Sequence, residues 1–594
     1  MNSFSRPGAR RFASAVALVA AAGVLAVPGA LALHGGDREV TVGSNDAVFS
    51  QNKQNEPAIA VDASHPTVLA AGANDNIDLE ACNAGDPTTC PFTAGVGGSG
   101  VQFSFDSGHT WIQPTYTGWT ARHCVGAPGF TCTPAVGPIG TLPWYFEEGL
   151  VSDGDPAVAF GPKPGSGGFS WANGSRLYYA NLTSNFGATK DEAVFKGFEA
   201  IAVSRIDGPA ATGLTPAIVA DKNSWMRPVL ASPPQSSAVF ADKEQVWADN
   251  AESSEFFGNV YVCYAEFRGA GAAPLVIAHS TDGGDTWKQN KVTRAANVSP
   301  KNFGQSGCTI RTDSSGVVYV FYEAFHFEKS QLPPRGAHAM VRSFDGGKTW
   351  TKPVEFLQIV DPCHFIDPVM GRCMMDGIAG ARNDLAAAPS IGIANGAPTG
   401  AGATNLIVDA WADGRDGQNA EDVMFSYSTD GGANWSSPTR ISSTPDRGYY
   451  AAPAVSPDGQ DVYVVYNAFT APFRNNTTDP RPLVGVVKHA SVVGGVPGAF
   501  TEIHRGVSGD ARGSSTNGLI GEFLGDYVYA IATNDYAAAV WNDVRFAADC
   551  PAIDAWRASL QVGAPIPTPS PNVDCPPTFG NSDIFGGSWA DPTP

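Results

Sequence analysis

The chain has 594 residues, 57 acidic and 37 basic, and a net charge of −20. Only 16% of the residues are charged, while 43% are apolar and 10% aromatic. This composition excludes a coiled coil and a disordered chain, and the surplus acid repels nucleic-acid phosphate. Gly and Pro number 67 and 45, about a fifth of the chain where about an eighth is average. Many turns joining short apolar runs indicate an all-β protein.

The N-terminus reads as an address. Arg6, Arg10 and Arg11 precede an apolar run over 12–27, then Pro28-Gly29 and Ala30-Leu31-Ala32. Basic, apolar and small-residue regions in that order make a secretory signal peptide over 1–32, with cleavage after Ala32. An uncleaved membrane anchor is the rival reading. No other uninterrupted apolar run is long enough to span a bilayer. The expectation is a secreted, extracellular protein. All ten cysteines lie after the signal, and an even count in a secreted chain favours disulfides. Cys82 and Cys90, Cys124 and Cys132, Cys363 and Cys373, and Cys550 and Cys575 are near neighbours, which leaves Cys263 and Cys308. Sequence does not determine the connectivity. Absence of any C-x-x-C pair argues against structural zinc.

A pattern S-x-D-x-G-x-x-W occurs four times, at Ser104–Trp111, Ser280–Trp287, Ser343–Trp350 and Ser428–Trp435. An Asp side chain can accept backbone N–H groups a few residues on. The Gly can take the positive φ of a tight turn, and the Trp can cover the base of a hairpin. Asp106, Asp282, Asp345 and Asp430 therefore read as structural staples. Each copy follows an alternating apolar run. A second repeat opens each unit with Pro and small or β-branched residues, as in Pro57-Ala-Ile-Ala, Pro156-Ala-Val-Ala, Pro389-Ser-Ile-Gly and Pro453-Ala-Val-Ser.

Units start near residues 55, 154, 243, 306, 387, 450 and 525. Four strands per unit, in series, predict a β-propeller. Seven blades are favoured and six is the alternative. The spacing exceeds that of common blades, and the surplus falls in long stretches at 112–150, 208–240, 357–382 and 544–582. The last unit shows no Asp hairpin. Segment 33–54 carries Glu39-Val-Thr-Val42 without a unit of its own, so it is expected to close the ring of a propeller over 55–594.

The four motifs resemble the Asp boxes (BNR repeats) of the sialidase superfamily. The resemblance implies a propeller whose boxes lie opposite the active face, and an exo-acting glycoside hydrolase on acidic, sialic-acid-like glycans. In that family an arginine triad holds the substrate carboxylate, a Tyr paired with a Glu is the nucleophile, and an Asp is the acid/base. Register places Asp75 as the acid/base, Tyr450 as the nucleophile and Glu323 as its partner. Three second strands end in an aromatic, a carboxylate and then Arg268, Arg415 or Arg545. Guanidinium forks suit a carboxylate ligand; alternatively each Arg braces its neighbouring carboxylate. The same face receives Asp153, Asp155, Asp242, Glu244, Asp384, Tyr449, Glu522 and Asp526 at first-strand entries. Clustered carboxylates could also hold Ca²⁺; no other cofactor is implied.

The family's Arg-Ile-Pro stretch has no counterpart, since the corresponding place reads Asn55-Glu56-Pro57-Ala58-Ile59. This motivates the second reading, a non-catalytic propeller that binds glycan, cell wall or protein through its loop-rich face. A monomer is expected in either case.

Overall fold

A computed structural model describes residues 36–44, 52–80, 93–124, 132–187, 189, 191–234, 236–268, 273–294, 304–326, 332–515, 519–521 and 524–592. The signal segment, Cys82, Cys90 and Glu522 lie outside the described residues. The chain is all-β and folds as a propeller of seven blades.

Each blade is an antiparallel meander whose first strand lies nearest the axis. These innermost strands are Gln54–Val61, Leu150–Gly165, Val239–Ala248, Gly304–Thr312, Ser390–Ile393, Arg447–Val455 and Tyr529–Ala532. In the first blade the fourth position is reduced to a single bridge, Phe103 to Ile112. The last blade takes its fourth strand from the start of the chain. Arg38–Glu39 pairs with Asp583–Ala590, and Val40 N donates to Ile584 O at 2.8 Å. This pairing explains the missing Asp hairpin. The third and fourth strands of that blade come from opposite ends of the chain, so no hairpin joins them. Asp37 fixes the closure, being fully buried while Arg545 Nη2 donates to it at 2.7 Å and His504 bonds its other oxygen.

The four S-x-D-x-G-x-x-W turns share one geometry. In the third, Asp345 Oδ1 accepts from Thr349 N at 2.8 Å and Oδ2 from Thr349 Oγ1 at 2.6 Å. Ser343 Oγ donates to Asp345 and accepts from Gly347 N. Gly347 has φ 88°, a left-handed value that favours glycine. These turns lie at the end of the ring where the innermost strands finish, since Ser107 N bonds Thr67 O beyond the first innermost strand. The starts of the innermost strands form the opposite face.

Packing between blades is apolar, with Trp411 and Trp541 fully buried. The blades are also stitched at the strand-start end. Glu56 N donates to Asn542 of the preceding blade and Asp155 N to Asn74 of its own predecessor. At the equivalent place between the third and fourth blades the stitch is covalent, Cys263–Cys308. Cys124–Cys132, Cys363–Cys373 and Cys550–Cys575 pin three of the long stretches. The last of these stretches also holds a helix, Pro551–Gln561, that strand patterning did not suggest.

Hydrogen bonds from Thr349 hold the Asp345 carboxyl at about 2, against an ordinary 3.8. A depressed folded-state pKa stabilises above the unfolded value and loses that contribution as pH falls towards 2. Asp345→Ala should therefore lower stability by about 1 kcal/mol at pH 7 and by much less near pH 2. Denaturant unfolding at both pH values measures the difference.

Candidate functional site

Five of the seven innermost strands carry a bulge near their start, where the register slips against the second strand. At the bulge the backbone enters the left-handed region. Glycine fills the position once, as Gly307. Glu56 (φ 52°), Asp155 (φ 50°), Lys243 (φ 60°) and Tyr450 (φ 45°) fill it in the other four. Such conformations cost about 1–3 kcal/mol each and concentrate at functional sites.

The bulges bring charged groups together on the axis. Lys243 is buried, and its Nζ lies 2.7 Å from Asp526, 3.0 Å from Asp155 and 3.6 Å from Asp242. Arg382 Nη1 donates to Asp526 at 3.1 Å and also pairs with Asp384. Burial alone would raise Asp526, but Arg382 and Lys243 outweigh it and hold the carboxyl far below its usual range. Tyr450 and Tyr527 border the cluster, both phenols being pushed well up by burial. The space beside Tyr450, Asp526 and Tyr527 is about 30 Å³, the share of one water molecule in the liquid. This side of the axis is narrow.

The other side is open. Asp153 is exposed, and Glu199 and Asp242 are half-buried. Ala241 N donates to Glu199 O at 3.1 Å, which seats Glu199 against the innermost strand of the third blade. Asp153, though exposed, has its carboxyl pushed up by desolvation, with hydrogen bonds from Ser184 opposing. Desolvation, then repulsion from Asp242, Asp153 and Asp155, raises Glu199 to about 8. Burial raises Asp242 to about 6, with Lys243 opposing and Asp155 reinforcing. Phe198, beside Glu199, is 72% exposed. Phe240 and Phe267 stack nearby at 5.0 Å.

The residues singled out from sequence are placed as follows. Asp75 is fully buried and accepts from Ser44, Gln54, Gln113 and the N–H of Ile77. Glu323 is fully buried, its neighbouring charge is Asp361, and among the described residues neither of its oxygens has a hydrogen-bond partner. The charges acting on Tyr450 come from Asp526, Arg382, Asp384 and Glu56, so Tyr450 and Glu323 face different groups.

Arg268 Nε donates to Glu266 at 2.6 Å. Arg415 grips Asp413 with Nε at 2.8 Å and Nη2 at 2.6 Å. Arg545 grips Asp543 in the same way, with Nε at 2.8 Å and Nη2 at 2.7 Å, and adds Asp37. The three arginines share no partner.

Lys243, Arg382 and Glu199 were missed in the sequence. Lys243 occupies the unit position of Glu56, Asp155 and Tyr450, so alignment of the bulges would have found it. Among the described residues, the groups of three donors close enough for a metal are His123 with Cys124 and Cys132, and Asp461 with His489 and Asp591. The first cysteines are joined in a disulfide. The second set is not the all-oxygen cage that Ca²⁺ prefers.

The sequence matches no family profile and no curated protein. Solved structures with a similar chain path include the Hadza microbial sialidase Hz136, at 15% identity and TM-score 0.37, with 70% of this chain and 65% of that one covered. Trypanosoma rangeli sialidase bound to the inhibitor DANA is 14% identical at TM-score 0.37, with coverage of 75% and 55%. An α-L-arabinofuranosidase of Fusarium graminearum is 11% identical at TM-score 0.35, with coverage of 75% and 94%. The chain spans less than two thirds of the length of either sialidase.

Removing the central ammonium would leave carboxylates buried against one another. Lys243→Met should cost about 3–5 kcal/mol in unfolding free energy, and Asp155→Asn in the same chain should return part of it. Denaturant titration of the single and double variants checks the coupling.

Proposed function

We propose that the protein is a secreted glycoside hydrolase that acts on an uncharged sugar in the cleft between the second and third blades. The carrying observation is that Glu199 feels the charges of Asp242, Asp153, Asp155 and Lys243, while Asp153, Glu199 and Asp242 all keep some exposure to solvent. Most glycoside hydrolases use one protonated and one ionised carboxyl group across the scissile bond. Carboxyl groups whose environments push their pKa values apart supply that pair.

Near neutral pH Glu199 keeps its proton and Asp242 has lost its own. Glu199 protonates the departing glycosidic oxygen as the anomeric C–O bond breaks. A water molecule adds its oxygen to the anomeric carbon, and its proton passes to Asp242. Phe198 offers an exposed flat face of the kind that packs against a sugar ring.

An acidic sugar fits this reading poorly. The axial face gathers Glu56, Asp153, Asp155, Glu199, Asp242, Glu244, Asp384 and Asp526 against Lys243 and Arg382. The three candidate arginines are each engaged by a carboxylate of their own blade. Secretion accords with the leader-like sequence at 1–32 and with the disulfides.

Nitrophenyl glycosides of neutral sugars, with a sialoside alongside, test the reaction. Turnover should follow a bell-shaped pH profile with limbs near 6 and 8. Below the first Asp242 is protonated, and above the second Glu199 has lost its proton. Glu199→Gln should cut kcat by about 10²–10⁴-fold without altering the circular dichroism. Glycan binding by folded protein without release of any chromophore would favour the non-catalytic reading and overturn this one.

A further inference from the structure

The axis has a second feature at its other end. A channel of about 260 Å³ runs between the innermost strands, and all seven blades contribute to its wall. Its lining is mostly small and apolar, with Ala60, Ala159, Val246, Ile391, Pro453 and Ile531 as examples. Ala63, Pro66, Pro398, Pro457 and Asp535, which follow the innermost strands, also line it, so the mouth lies on the face of the Asp-motif turns.

One cation sits in this apolar wall. Arg311 projects from the innermost strand of the fourth blade, and its guanidinium carbon lies 4.7 Å from the Trp247 ring centroid. Its Nη1 donates to Gln245 Oε1 and to Ile310 O, both at 2.7 Å. Gln245 in turn donates to Tyr529. Among the described residues the polar partners of Arg311 are Gln245 and Ile310 O, and the one ionisable group acting on it is the Tyr529 phenol, not a carboxylate. Asp535, the one carboxylate of the lining, is exposed and makes no ion pair with it. Nε and Nη2 donate to no protein group among the described residues. Stacking on an indole leaves the in-plane N–H edge of a guanidinium free for a planar two-oxygen partner. Desolvation lowers Arg311 to about 10, so it stays charged at neutral pH.

A half-buried cation without a counter-ion among the described residues, in a channel lined mainly by apolar residues, is complementary to an anion with an apolar body. We propose that the channel binds a small organic carboxylate, its carboxylate on the Nε–Nη2 edge of Arg311 and its apolar part along the channel wall. At about 30 Å³ per molecule of liquid water, a channel of about 260 Å³ has room for roughly nine waters. An aryl or cyclohexyl monocarboxylate can take the place of several of them. The site shares no residue with the carboxylate cleft and does not depend on the proposed hydrolase activity.

Titration calorimetry of the full chain with benzoate, cyclohexanecarboxylate, benzamide and inorganic phosphate tests the proposal. The two carboxylates should bind at one site per chain. Benzamide, isosteric but uncharged, should bind about ten- to a hundredfold more weakly, the loss expected for a charge-assisted hydrogen-bonded pair. Phosphate, which lacks the apolar body, should bind more weakly than benzoate. Arg311→Met should weaken benzoate by a similar factor, and Arg311→Lys should restore part of the affinity. Absence of saturable benzoate binding, equal affinity for benzoate and benzamide, or benzoate affinity unchanged in Arg311→Met would each overturn it. Comparison of benzoate with benzamide needs no variant, so the test survives if Arg311→Met fails to fold.

Discussion

One ammonium group holds the charged end of the axis together. Lys243 sits among Asp155, Asp242 and Asp526, which reach it from the second, third and seventh blades. Taking these charges out of water costs several kcal/mol per ion, and only close pairing returns it. Seven innermost strands converge at this point, so polar side chains at their starts crowd one another whatever they are. A buried cation lets carboxylates from separate blades approach without expelling each other. Lys243 does for this ring what a metal ion does in other carboxylate clusters.

That arrangement sets how the remaining acids behave. Lys243 and Arg382 together exceed the desolvation of Asp526 and keep it ionised. Asp242 lies 3.6 Å from the same ammonium, and there burial prevails in part. On Glu199 desolvation and then repulsion dominate, and it retains its proton near neutral pH. Carboxyl groups around one lysine therefore differ widely in proton affinity, from Asp526 at the low end to Glu199 and Glu244 at the high end. The same pairing surrounds Tyr450, whose phenol feels Asp526, Arg382 and Asp384.

Architecture was legible in the sequence because it repeats. Pro-Ala-Ile-Ala and its relatives mark the innermost strands, and the four Asp turns mark third-to-fourth hairpins. Both are local devices, and local devices survive translation into sequence pattern. The site was legible in part for the same reason. Asp153, Asp155, Asp242 and Asp526 sit at strand entries and share a face by register. Their pairing was not legible, because it depends on which blades stand beside one another across the axis. Arg268, Arg415 and Arg545 show the limit. A shared spacing placed them alike, yet the carboxylate two residues earlier is also shared, and each guanidinium takes that nearer partner. Glu199 escaped notice because it enters the cleft from a third strand, where no repeat points to it.

The two ends of the axis differ in chemistry for a reason of packing. Seven strands around one axis leave little room, so their middle and final residues are mostly Ala, Val, Ile and Pro. Such residues satisfy the crowding but offer nothing to charge, and they supply most of the channel wall, with Gln245, Asn250 and Asn395 among the polar groups between them. At the strand starts the bulges turn the backbone aside, and longer polar side chains fit. Arg311 is the exception in the apolar part. It is accommodated because Trp247 covers one face of the guanidinium and Gln245 takes one of its hydrogens. Neither contact neutralises its charge. In a protein with a net charge of −20, a guanidinium left without a carboxylate is a departure from the general supply of partners, and the channel beside it is where a counter-ion has room.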